Sequence, residues 1–94
     1  MVPGTEKGLA LAEALIERLR AATQDAQSRE AYVIRNLESF THDIRDAHSV
    51  EDVLLATKPL SHFAVDSLDW GSDLMNEIAA ITRSVRRGAK GYKP

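Results

Sequence analysis

From Leu9 onward, apolar side chains recur at steps of three and four. Leu9, Ala12, Leu15, Ile16, Leu19, Ala22 and Ala26 share one helical sector, with Glu13, Glu17 and Arg20 opposite. Positions three and four apart stack on one side of a 3.6-residue turn, so this spacing predicts an amphipathic helix. The rhythm resumes at Val33, Leu37, Phe40, Ile44 and Ala47, and counting in sevens from Ala12 reaches Ala47 without a change of phase. Strand-type alternation is missing. Two architectures fit the pattern. One unbroken helix from Leu9 to Ala47 would span about 58 Å, too long to pack within a single domain of this size. A turn near Gln27 and Ser28, inside the polar stretch 23–30, instead folds two helices back as an antiparallel hairpin with Ser28 as an N-cap, and this arrangement is favoured.

Further along, Ser49-Val50-Glu51-Asp52 reads as a helix start, with a capping serine and acids near the positive end of the helix dipole. A short helix through Thr57 is expected, ended by Pro59, with another turn or two over residues 60–68. Ser72 or Asp69 can cap a last helix carrying Leu74, Met75, Ile78, Ile81 and Val85, expected to stop before Gly88. The expected fold is therefore all-α: a small helical bundle built on an antiparallel helical hairpin plus a shorter C-terminal helix pair. Residues 1–87 form one helical domain and residues 88–94 a basic flexible tail.

Composition changes this picture in one respect. Of the 41 hydrophobic residues in this 94-residue chain, 13 are alanine, which leaves a thin core for a domain already too small to bury much of its surface. Completion of the bundle by a second copy, as a homodimer, is the natural expectation. With no cysteine, disulfides and thiolate-based metal sites are excluded. No apolar run approaches the roughly 18 to 20 residues needed to cross a bilayer, and residues 1–7 lack the basic start and apolar run of a secretory signal, so no membrane partner and a cytoplasmic location are expected.

Charge is unevenly spread. Residues 1–82 carry a net −7, whereas Arg83, Arg86, Arg87, Lys90 and Lys93 give residues 83–94 a net +5 with no acid. Clustered cations of this kind either contact phosphates or complement the negative end of the last helix, and the acidic body weighs against a polyanion. Two clusters have the residue types of a metal or proton-transfer site: His42, Asp43, Asp46 and His48, and the series His62, Asp66, Asp69, Asp73 and Glu77. Neither matches a helical H-E-x-x-H pattern. No nucleophile elbow and no phosphate-binding glycine loop accompanies them, so no enzymatic chemistry, metal or cofactor is expected.

Function is expected from surfaces instead. Long apolar stripes on a chain with few large side chains should leave some apolar surface exposed, and such patches mark association sites. The leading expectation is a non-enzymatic regulatory or adaptor protein, such as an inhibitor, anti-activator or antitoxin-like protein, that binds another protein through helical surfaces. Val33, Leu37, Phe40 and Ile44 are the expected contact residues, with Tyr32 at their edge. The alternative is a small dimeric DNA-binding transcriptional regulator whose Arg83, Arg86, Arg87, Lys90 and Lys93 meet phosphates, although none of the central helices has the basic character of a recognition helix.

Overall fold

Three serines open three of the helices. Residues 2–22, 28–68 and 72–91 are described in a computed structural model, as α1 (Glu6–Ala22), α2 (Arg29–Asp46), α3 (Val50–Ser67) and α4 (Asp73–Lys90). The Ser28, Ser49 and Ser72 side chains accept the backbone N–H groups of Ala31, Asp52 and Met75 at 3.2, 3.1 and 3.2 Å, each satisfying a donor that a helix start leaves without a partner. At α3 the Asp52 carboxylate also reaches back past the cap and accepts the His48 backbone N–H at 3.0 Å.

Neighbouring helices run in opposite directions. Arg20 pairs with Glu38 at 2.8 Å and Arg45 with Glu13, so rising numbers on α1 meet falling numbers on α2. Gly4 lies against Gly88, Gly8 against Val85, and Arg18 pairs with Glu77 at 2.6 Å, which gives the same opposition between α1 and α4. Each helix packs on two neighbours, α1 and α3 each lying beside both α2 and α4. The result is a closed four-helix ring with one shared interior. Its radius of gyration, 12.9 Å, is close to the roughly 12 Å expected of a compact chain of this length.

That interior is filled by a single chain. Leu15, Val33, Leu37, Phe40, Ile44, Val53, Leu60, Ile78 and Val85 are each at most 2 % exposed. Small residues complete it: Ala12, Ala47 and Ala89 are buried, as are Thr5, Thr41, Thr57 and Thr82. Each of these hydroxyls donates to the carbonyl three residues back (Val2, Glu38, Leu54 and Ala79), so the threonines present their methyl groups to the core without leaving a polar atom unpaired. Alanine and threonine let the helices approach closely, and the large apolar residues suffice for the space that remains.

Three expectations are corrected. The C-terminal pair is not shorter, since α3 and α4 have 18 residues each. Pro59 does not end α3 but sits inside it. The N–H it lacks would have met the Leu55 carbonyl one turn back, and both residues face solvent, so the proline does not open a gap in the core side of the helix. Gly88 does not stop α4, which continues to Lys90. A Cβ at Gly88 would run into the backbone carbonyl of Gly4, itself in the left-handed region at φ 93°. Glycine is needed there for close approach rather than for termination.

Candidate binding groove between α3 and α4

A groove opens along the seam between α3 and α4. Alanines stand where larger side chains would interlock: Ala64 on α3 and Ala79 on α4 leave low ridges, flanked by Val65 and Met75. The opening has a volume of about 440 Å³, with buried Ile78 and Thr82 among its lining residues. Val65 is 47 % exposed, one of the few large apolar residues left in water among the described residues.

Toward the C-terminal end of α4 the lining becomes cationic. Arg83, Arg86, Arg87 and Lys90 follow one another at steps of three, one and three, which places them along a stripe about two turns long. They stand near the negative end of the helix dipole, which favours them there. Arg86 is half-buried and reaches across to α3, where its Nε donates to Thr57 Oγ1 at 3.2 Å and a terminal nitrogen donates to Ser61 Oγ at 3.3 Å. The Thr57 hydroxyl passes its own proton to the Leu54 carbonyl at 2.8 Å, so it can only accept from Arg86. Both acceptors are neutral. They fix the guanidinium without cancelling its charge, and among the described residues none of the four cations has a carboxylate partner. A second opening between α1 and α4, of about 530 Å³, shares Arg83 and Arg87 and adds Lys7 and the exposed Leu11. The cationic ridge thus has a groove on either side.

The residues singled out by the periodicity lie elsewhere. Val33, Leu37, Phe40 and Ile44 are together in the core, at most 2 % exposed, and offer no surface to a partner in the folded chain. Tyr32 alone of that set is exposed, with the Arg35 guanidinium 5.2 Å from its ring centre. Of the basic series, Arg83, Arg86, Arg87 and Lys90 are brought together, and Lys93 lies outside the described residues. His42 and Asp46 meet at 3.2 Å on the open face of α2. His62 and Asp66 belong to α3 and Asp73 and Glu77 to α4, with Asp69 outside the described residues, so that series does not share one helix face. Among the described residues no three His, Asp or Glu side chains lie close enough to hold a metal ion. None of these helices is long and apolar enough to cross a membrane.

Reading along the chain missed Ser61, Ala64, Val65, Met75 and Ala79. The signal available was the pairing of alanines on two successive helices with a cationic stripe one turn further on, and it acquires meaning only once α3 and α4 are known to be neighbours. Comparison of the chain with known protein families, with curated proteins and with solved structures finds no match.

Proposed function

We propose that the chain is a non-enzymatic module that acts by protein–protein contact and receives a segment of its partner in the α3–α4 groove. The observation that carries this reading is the conjunction, in one opening, of an apolar stretch around Ala64, Val65, Met75 and Ala79 with four cations that lack carboxylate partners among the described residues. Apolar area gives affinity and fixed charges give orientation, the combination expected of a recognition groove. The serine in the groove favours binding over chemistry. Ser61 Oγ accepts from Arg86, which as a permanent cation cannot serve as the base that would activate it. Phosphate binding would use the same cations but would give the apolar stretch no role. Since one chain already covers its own apolar stripes, the proposed working unit is the single chain, and the partner takes the place of a second copy.

Site-specific photo-cross-linking in the cells that produce the protein tests this. A photoreactive residue at position 65 is expected to give a discrete protein adduct that disappears in an Arg83→Glu background, and one at position 32 to give none. Absence of a protein adduct at position 65, or an adduct sensitive only to nuclease, overturns the reading.

A further inference from the structure

We infer that the occupant of the α3–α4 groove is an amphipathic helix of a partner protein, acidic in its first turns and apolar thereafter, lying antiparallel to α4. This rests on the proposed binding role and adds the chemistry and direction of what is bound. Three features lead to it.

The first is length. From Met75 to Lys90 the groove follows α4 for about 22 Å at 1.5 Å per residue, the span of a helix of about four turns. The second is relief. Ala64 and Ala79 keep both walls low, which lets another helix come within the roughly 8–10 Å at which helices pack, with its large apolar side chains beside Val65 and Met75. The third is the segregation of chemistry along the axis. The lining contributed by the first half of α4 is apolar, through Met75, Ile78 and Ala79, and that of the second half is cationic, through Arg83, Arg86, Arg87 and Lys90.

Direction follows from that segregation. Carboxylates on a helix are most stable in its first turn, beside the positive end of its dipole. To place them over Arg83–Lys90, the incoming helix must begin at the C-terminal end of α4 and run back toward Met75. Its positive end then also faces the negative end of α4. Arg86 is the cation best prepared for a carboxylate: Thr57 and Ser61 hold two of its N–H directions, leaving the rest of a rigid five-donor fork without an assigned partner.

Three synthetic peptides of about 16 residues and identical composition test the inference. One has glutamates in its first two turns and leucines at i, i+3, i+4 and i+7 spacing after them; the second has these blocks in the opposite order; the third is scrambled to destroy amphipathicity. Each is titrated into the isotope-labelled full chain and followed by amide chemical shifts. The first peptide is expected to perturb Ala64, Val65, Met75, Ala79, Arg83 and Arg86, and a spin label at its N-terminus to broaden Arg87 and Lys90. The scrambled peptide should bind at least about tenfold more weakly, since it loses the apolar face, and the order-reversed peptide about twofold to fivefold more weakly, since it keeps both blocks in place only by lying parallel to α4 with its glutamates at the disfavoured end of its own dipole.

Arg86→Gln should weaken the first peptide by about threefold to tenfold, and the exposed Arg83→Gln, which carries no packing role, gives a second readout if Arg86→Gln unfolds. Equal affinity for the order-reversed peptide, perturbations confined to other faces, or tighter binding of a short DNA duplex or of anionic lipid vesicles than of the first peptide overturns the inference. A protein adduct at position 65 combined with any of those results removes the acidic helix and leaves the binding module standing. Loss of the adduct removes both.

Discussion

The seams α1–α2 and α3–α4 lie on opposite sides of the same ring, and they are finished differently. Across α1–α2, large residues such as Ile16, Val33 and Phe40 fill the interior, and Arg20 and Arg45 are matched by Glu38 and Glu13. Across α3–α4, alanines line the rim, Arg86 meets two hydroxyls, and the cations have no carboxylate partner among the described residues. Under the proposed binding role, the half that receives a partner is the one whose cations have no carboxylate partner among the described residues.

The sharpest way to break this comparison is to put one charge into each seam. Phe40→Asp buries an unpaired carboxylate and is expected to cost more than about 4 kcal/mol, enough to unfold a domain of this size, whereas Val65→Asp should stay within about 0.5 kcal/mol of the native chain. Chemical denaturation followed by circular dichroism distinguishes the two, and a folded Phe40→Asp protein would show that the α1–α2 stripe is not core. A smaller effect is expected where the ring closes: Gly88→Ala should lose about 1–3 kcal/mol through displacement of the Gly4 backbone, read as a lower denaturation midpoint with an unchanged slope. Smallest of all, Glu38→Ala should cost about 0.2–1 kcal/mol, since Arg20 and Glu38 are both about half exposed, and the loss should shrink as salt is added. A larger, salt-independent loss would mean that Glu38 holds α1–α2 through the packing of its side chain rather than through its charge.

Much of the fold was legible along the chain. Ser28, Ser49 and Ser72 announced their helices because an N-cap is a local event, set by one side chain and the N–H three residues on. The apolar stripe of α2 is legible as a stripe, and in the folded single chain its residues lie in the core. Burial depends on which other helices cover a face, and alanine and threonine were not counted as core when they fill much of it. Pro59 and Gly88 were misread for a related reason. A breaker's cost is decided by surroundings, and here solvent beside Leu55 and the Gly4 backbone beside α4 decide it. The cationic series was visible in the sequence. Its conversion into a groove required Thr57 and Ser61, 29 and 25 positions away, to arrive beneath Arg86.

The contact of Gly4 with Gly88 also limits how this chain can change over generations. When two facing side chains clash, a gain in size on one is ordinarily offset by a reduction on the other, so a pair can drift together. Neither glycine has an atom left to surrender. Enlarging one leaves the other no complementary step, and escape must come from the main chain itself, by a shift of the segment before α1 or of the last turns of α4. This corner of the ring is therefore a place where sequence can move only if the backbone moves first.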